Sequence, residues 1–232
     1  ERDVYVYASN KVSLRDFRVV SDLENNYKDG VLNLNLEIDN NTDSSIEKSV
    51  AVKLMDGDVD MYSESKSINL NIGTNAIDFN KTIPNIKSWN AEQPNLYTLL
   101  ISVNGESTAV KIGFRNVKIE NLPDGKAGSQ FLVNGQPVLI KGVNLHDHDE
   151  TTGHAITEAL TIKDMQLMKQ NNINAIRCSH YPKAPFFYRL ADKYGFYVVD
   201  EANIELHGMG ATNQGMDKNL EKQAKHPAYL PE

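Results

Sequence analysis

The first half of the chain alternates between apolar and polar positions with a period of two. The clearest case is residues 31–39, VLNLNLEID, in which apolar side chains interleave with Asn and Glu. This period is typical of a strand with one buried face. Similar short runs, separated by turn-rich pieces, predict an antiparallel β-sandwich of about seven strands. The further runs lie at 49–55, 67–72, 76–83, 96–103 and 109–119.

The pattern changes after residue 119, and the next signals are a hairpin and two helices. Residues 131–140 contain Asn-Gly between two apolar runs, which is a strong hairpin signal. The amphipathic segment 161–172 predicts a helix, and its Thr161 and Asp164 resemble a capping box. A second helix is predicted over 184–195, with a proline near its first position and a glycine at its end.

Short, almost wholly apolar strands at 173–177 and 196–200 alternate with these helices, which indicates parallel βα units. A doubly wound sheet often carries a glycine-rich phosphate loop, and neither GxGxxG nor GxxxxGK[ST] occurs here. A (β/α)₈ barrel instead carries its functional residues at the carboxyl ends of its strands. Three predicted strands end in such polar segments, at 142–148, 177–180 and 200–207. The order therefore favours the barrel, of which only three strands are predicted.

Composition narrows the possible functions. The 232 residues include 24 Lys and Arg against 31 Asp and Glu, so the formal net charge is −7. This acidic balance argues against a nucleic-acid partner, which usually requires a basic face. No apolar run approaches the roughly 18 residues of a membrane-spanning helix, so we expect no membrane association. The single cysteine, Cys178, excludes an intramolecular disulfide and a zinc site built from several cysteines.

Both ends of the sequence look cut, so we expect a fragment of a longer protein. No signal peptide is recognisable in the first residues. The cellular compartment, cytoplasmic or periplasmic, stays open, because larger secreted proteins can lack disulfides.

Histidines follow the first two predicted parallel strands. His146 and His148 are two residues apart, so in an extended segment they face the same way and could bind a metal. Zinc would need further ligands. The alternative, which we favour on the pattern alone, is one buried, hydrogen-bonded histidine and one solvated histidine. His180 follows the second strand, where its imidazole could donate to a ligand hydroxyl.

Arg177 ends an apolar strand and therefore needs a carboxylate partner, for which Glu201 or Asp200 is expected. This pairing could be purely structural. Cys178 is a weak candidate for a nucleophile, since nothing else in the sequence suggests thiol chemistry.

Glu205 and His207 form a second pair two residues apart. One carboxylate and one imidazole suit a divalent cation that keeps several waters, such as Mg²⁺ or Mn²⁺. A salt bridge on a solvated loop explains the same spacing equally well. The single tryptophan, Trp89, is interpreted as an anchor of the sandwich core.

Three ordered segments closely resemble the large bacterial β-galactosidases of glycoside hydrolase family 2. They read FLVNGQPVLIKGVNLHDHDETTG at 131–153, LMKQNNINAIRCSHYP at 167–182 and YGFYVVDEANIELHGM at 194–209. Upstream, SWNAEQPNLYTLLISV at 88–103 and GFRNVKI at 113–119 are similar to the sandwich domain that precedes the barrel in that family.

The resemblance implies a multidomain β plus α/β architecture. An immunoglobulin-like β-sandwich would occupy 1–119, and the first βα units of a (β/α)₈ TIM barrel would occupy 120–232. The family hydrolyses terminal β-galactosides with retention, through one acid/base and one nucleophilic carboxylate.

The family's site residues map onto positions of this sequence. His146 and His180 match the two histidines that contact the galactosyl group and stabilise the transition state. Glu205 and His207 match the Mg²⁺ ligands. Three further positions match the framework around the site and are given no catalytic step: Arg177, Glu201 and Asn203.

The sequence departs from the family in lacking the catalytic carboxylates. The acid/base glutamate follows an asparagine in the family, and no Asn-Glu dipeptide occurs here. The nucleophile would lie later still. The acid/base is also a Mg²⁺ ligand in the family, so the metal site is incomplete. We therefore expect the isolated chain to be inactive.

Two other functions stay open. The chain could be a non-catalytic carbohydrate-binding or adhesion module whose sandwich contacts the sugar. It could also belong to a sister specificity, such as β-glucuronidase or β-mannosidase, although Glu-x-His-Gly at 205–208 favours the galactosidase branch. An open three-stranded barrel would expose an edge and an apolar face. We therefore expect residues 120–232 to be stabilised in a homo-oligomer, or to be poorly ordered at their end.

Overall fold

The computed structural model describes residues 4–122 and 128–203. Within these ranges the chain forms thirteen strands and two helices. The strands are β1 (Val12–Glu24), β2 (Asp29–Asn40), β3 (Ile46–Asp56), β4 (Val59–Leu70), β5 (Gly73–Ile83), β6 (Tyr97–Val103), β7 (Glu106–Ile112), β8 (Val117–Asn121), β9 (Ser129–Val133), β10 (Gln136–Pro137), β11 (Gly142–Leu145), β12 (Ala175–Cys178) and β13 (Tyr197–Val199). The helices are α1 (Glu158–Gln170) and α2 (Pro185–Tyr194).

The first seven strands form a β-sandwich, as predicted. One sheet has the order β1-β2-β5 and the other the order β4-β3-β6-β7, and all their strand pairs are antiparallel. The alternation read in β2 places Leu32, Leu34, Leu36 and Ile38 in one core with side chains of the facing sheet, each at most 1% exposed. Burial of this apolar face is the main stabilising contribution to the sandwich.

Strand β1 was not predicted from the sequence, because its pattern of apolar and polar residues is interrupted. Its pairing with β2 shifts register between Leu14 and Asp16. A bulge of this kind inserts one residue and breaks the alternation of faces. The partly buried side chains Leu14 and Phe17 are consequently three residues apart instead of two. The segment 109–119, interpreted as one strand, contains the end of β7 and the start of β8.

A small antiparallel sheet of order β10-β9-β8 follows the sandwich. The Asn134-Gly135 hairpin turn is confirmed, with φ of 52° and 72° at the two residues. Two positive φ angles are what a two-residue type I′ hairpin requires. β8 spans the domain boundary predicted after residue 119, and that boundary stays a prediction.

The last three strands form a parallel sheet of order β11-β12-β13, as the alternation with helices predicted. A second apolar core, separate from that of the sandwich, lies between this sheet and the two helices. Its buried members include Met165 of α1, Ile176 of β12, and Phe187 and Leu190 of α2.

The predicted start of α1 is wrong. The helix is capped by Thr157, whose hydroxyl accepts from the backbone N–H of Leu160 at 3.2 Å. Thr161 is buried inside the helix, and its hydroxyl donates to the carbonyl of Thr157. The capping box expected at Thr161 and Asp164 therefore lies one turn too late. Helix α2 begins at Pro185 and is closed by Gly195 with a φ of 78°, as predicted.

Trp89 does not anchor the sandwich core, which corrects its interpretation from the sequence. It is fully buried, but at the junction between the sandwich and the second core. Its indole N–H donates to the carbonyl of Asp192 in α2 at 2.8 Å, and its ring meets Tyr197 edge-on. The Arg115 guanidinium lies over the indole, 4.7 Å from its centre.

A lysine of α1 also contacts both sides of this junction. The ammonium of Lys169 donates to the carbonyls of Ala91 at 2.9 Å and Gly195 at 2.6 Å. Burial lowers the pKa of this lysine. A Cβ on Gly195 would come within 2.5 Å of the Ala91 carbonyl, so close approach as well as positive φ requires glycine there.

Neither helix of the described part of the chain is long and apolar enough to cross a membrane.

Candidate functional site

The candidate site lies where two parallel strands end. Leu145 of β11 pairs with Cys178 of β12, and His146 and His180 follow these strand ends. Because the strands run the same way, the residues after them emerge at the same edge of the sheet. The two imidazole rings meet edge to face, with their centres 5.3 Å apart. The peptide bond between Ser179 and His180 is cis.

Glu201, which follows β13, contacts both His180 and Arg177 of β12. Its Oε2 lies 2.8 Å from Nδ1 of His180, and its Oε1 accepts from Nε of Arg177. Of the two carboxylates expected to pair with Arg177, the structure selects Glu201. The guanidinium also donates to the side chain of Asn144 in β11 at 3.1 Å. Arg177 and Glu201 together thus connect residues of all three parallel strands or their ends.

The carboxylate determines which ring nitrogen of His180 faces it. Accepting from His180 requires a proton on Nδ1, so Nε2 accepts in the neutral ring and donates in the charged ring. The hydrogen bond from His180, followed by the contact with Arg177, lowers the pKa of Glu201. Glu201 is therefore an anion at neutral pH.

Asp200, the other expected partner of Arg177, points to different groups. It accepts from the hydroxyl of Tyr188 at 2.8 Å, and that hydroxyl accepts from the backbone N–H of Lys183. Burial, with the nearby Asp200 charge, raises the pKa of the Cys178 thiol to about 12. A thiol protonated at neutral pH is a poor nucleophile, so Cys178 is a packing residue.

His146 and His148 are both exposed and diverge, so the expectation of one buried histidine is wrong. His146 faces His180, whereas His148 faces His154 with ring centres 6.1 Å apart. The loop that carries them turns back on itself between Asp149 and Gly153, so the segment is not extended throughout. Across residues 4–122 and 128–203, no group of three or more His, Cys, Asp or Glu side chains is arranged to hold a metal ion. Glu205 and His207 lie outside the described residues.

Sequence reasoning missed Lys183, because lysines are almost never fully buried. Its side chain is 1% exposed, and its ammonium lies 3.3 Å from Oδ1 of Asp147. No pattern in the sequence distinguishes this lysine from a solvated one. Next to it, a cleft of about 480 Å³ opens beside His146, between the loop 146–156 and the two helices. Its walls include His148, His154, Met165, Phe186 and Arg189.

Comparisons with known proteins identify the family. The description "Glycosyl hydrolases family 2" matches residues 12–115, and "Glycosyl hydrolases family 2, TIM barrel domain" matches residues 126–232. The chain belongs to glycosyl hydrolase family 2, and it comprises a sandwich domain followed by the start of a TIM barrel.

Among its relatives are two proteins named β-galactosidase. That of Pseudoalteromonas haloplanktis is 38% identical over 90% of this chain and 20% of its own length. That of Alteromonas mediterranea is 34% identical over 99% of this chain and 23% of its own length. The chain thus spans about a fifth of the curated relatives that it matches. Among solved structures, a β-glucuronidase of Parabacteroides merdae superposes with a TM-score of 0.71 at 26% identity, over 83% of this chain and 24% of that one.

Proposed function

We propose that this chain is the part of a retaining β-galactosidase in which His146 and His180 contact the galactosyl group. The observation that carries the proposal is the edge-to-face pair of imidazoles at one strand edge, with Glu201 behind His180. The relatives named β-galactosidase, aligned over nearly the whole chain, support the choice of substrate.

The two histidines have the chemistry that this role needs. With Nδ1 bonded to Glu201, His180 leaves Nε2 as the ring nitrogen that can hydrogen-bond to a sugar hydroxyl. Donors held in place before the reaction stabilise developing charge without reorganising. In a retaining glycosidase the bond-breaking steps need two carboxylates about 5–5.5 Å apart. This sequence lacks the expected Asn-Glu acid/base, so its own residues bind and orient the sugar without cleaving it.

The sugar contact is tested by titrating methyl β-D-galactoside into the full chain and into two variants. His180→Phe should weaken binding by about tenfold, because it removes one hydrogen-bonding group from the sugar contact. His148→Phe is the matched control, since the exposed ring of His148, on the same loop as His146, faces His154 and not His180. Equal affinity in both variants would contradict the proposal.

Inactivity of the isolated chain is a separate part of the proposal. Purified 1–232 should release no nitrophenol from nitrophenyl β-galactoside above the rate in buffer. Turnover well above that rate, with contamination excluded, would show that carboxylates of this chain perform the hydrolysis.

The alternative of a carbohydrate-binding sandwich gives a different result in the same titration. Galactoside affinity would then be unchanged in His180→Phe, because the sugar would bind on the sandwich. A β-glucuronidase specificity has a specific observation in its favour, the superposition on the enzyme of Parabacteroides merdae. Assay of the complete reading frame with nitrophenyl galactoside and glucuronide separates the two sugars.

We also propose that Glu205 and His207 bind Mg²⁺, or Mn²⁺, in an incomplete site. Two protein ligands leave most of the coordination shell to water, so affinity in this chain should be weak. Calorimetry with Mg²⁺ tests this. Submicromolar affinity that disappears in His207→Ala would show that the site is complete within this chain.

Self-association is the last part of the proposal. In the described residues β11 and β13 are the edges of the parallel sheet, and exposed apolar side chains accompany them at Leu139, Ile140 and Val199. Such edges and patches favour pairing with another copy. Light scattering should give a mass that rises with concentration, and Val199→Lys should reduce it. Val59→Lys, at an exposed valine of the sandwich, is the control. A monomer at every concentration would contradict this.

A further inference from the structure

Lys183 is the most deeply buried charged side chain near the site, and the proposed sugar contact does not use it. Its side chain is 1% exposed, and its ammonium has partners on several sides. They are Oδ1 of Asp147 at 3.3 Å, the ring of Tyr181 with its centre at 4.2 Å, and the carbonyl of Ser179 at 3.5 Å. A buried ammonium is costly unless it is paired, so this arrangement holds only while Asp147 stays in place.

Asp147 belongs to the other loop of the site, directly after His146. Its carboxylate is 13% exposed, so water screens the ion pair little. Its backbone N–H donates to the hydroxyl of Tyr181 at 2.8 Å. Two contacts therefore join the loop after β11 to the loop after β12, one through the side chain of Asp147 and one through its backbone.

Both contacts adjoin the histidines in the chain. Asp147 is next to His146, and Tyr181 is next to His180. The ring of Tyr181 also lies edge-on to that of His146, at 6.2 Å between centres. His146 is exposed, so little packing surrounds its ring, and the contacts at the base of its loop help to hold it in place.

We propose that Lys183 is a positioning residue, whose ion pair with Asp147 locks the two loops in the arrangement that brings His146 against His180. The effect of this lock on sugar binding rests on the proposed function, whereas its effect on the two rings does not. Lys183 itself is enclosed by its partners and touches no substrate in this role.

The lock is tested by NMR of the full chain with labelled histidines. A nuclear Overhauser effect between the rings of His146 and His180 is expected in the wild type. It should be lost in Lys183→Met, which fills similar space without a charge, and regained in Lys183→Arg, which restores the charge. Lys163→Met, at an exposed lysine of α1, is the control and should keep the effect.

Backbone contacts between Leu145 and Cys178 show whether the parallel sheet is intact in each variant. If Lys183→Met fails this check, Asp147→Asn removes the same ion pair from the other side and should lose the ring contact. A ring contact that survives in a folded variant without the ion pair would overturn the proposal.

Titration with methyl β-D-galactoside gives the second readout. If the competent ring arrangement falls to about a tenth of the population in Lys183→Met, affinity falls about tenfold, and Lys183→Arg recovers it. If the wild type binds no galactoside, the proposed function is contradicted. If Lys183→Met nevertheless loses the ring contact, the positioning role of Lys183 is supported. An unchanged affinity together with an unchanged ring contact would overturn the lock.

Discussion

At the scale of single residues, the site is organised by side chains that touch no substrate in the proposed function. Glu201 is the clearest example, because it accepts from both His180 and Arg177. These partners favour its charged form, so its pKa lies below the ordinary value of 4.5. The hydrogen bond from Nδ1 of His180 fixes the direction of the imidazole, while Arg177 holds the other oxygen of the carboxylate.

The lowered pKa predicts how stability depends on pH. Folded Glu201 binds a proton more weakly than Glu201 of the unfolded chain. Its contribution is therefore present above pH 4.5 and lost as the pH falls through the lowered pKa. In Glu201→Gln, urea unfolding should give a lower free energy of unfolding at neutral pH. That free energy should also fall less steeply than in the wild type as the pH drops below 4.5. The exposed Glu150 provides the control Glu150→Gln. If the free energy of unfolding of Glu201→Gln fell as steeply with decreasing pH as that of the wild type, this prediction would be contradicted.

The sequence predicted the contacts among Arg177, His180 and Glu201 only in part. An arginine at the end of an apolar strand requires a carboxylate, which reduced the partners of Arg177 to Glu201 and Asp200. The choice between these neighbours depends on which way the chain turns after β13. Lys183 could not be found at all, because its burial results from loop packing that no local pattern encodes.

At the scale of elements, periodicity predicted the strands and helices well, and their ends less well. Alternation fails where pairing itself is irregular, as at the bulge of β1. Both Thr157 and Thr161 are plausible helix caps by residue type. The structure selects Thr157 because Thr161 is needed as a buried side chain of the first turns.

The cap assignment gives a stability prediction for α1. Thr157→Ala should lower the free energy of unfolding by about 1 kcal/mol, since the N–H of Leu160 loses its acceptor. Thr157→Ser keeps a hydroxyl at the same place and should be close to the wild type. Urea unfolding followed by circular dichroism measures both. If serine destabilises as much as alanine, the hydroxyl is not the capping group.

At the scale of the whole molecule, two cores are joined through one loop of the sandwich. Trp89 and Ala91 from that loop contact the end of α2, and Lys169 joins the end of α1 to the same place. The sequence shows that a single tryptophan precedes β6. It does not show which core it joins, because the partners that place it at the junction, Asp192 and Tyr197, lie about a hundred residues further along the chain.

The junction predicts a localised effect of Trp89→Phe. Losing the N–H donor to Asp192 and part of the ring should cost about 2 kcal/mol, an estimate that combines one hydrogen bond with a small cavity. Hydrogen exchange should rise at the end of α2, because the tryptophan covers that helix end. Phe79→Leu, in the sandwich core, is the matched control and should raise exchange in β2 and β5 instead. If Trp89→Phe raised exchange only within the sandwich, the tryptophan would belong to that core and not to the junction.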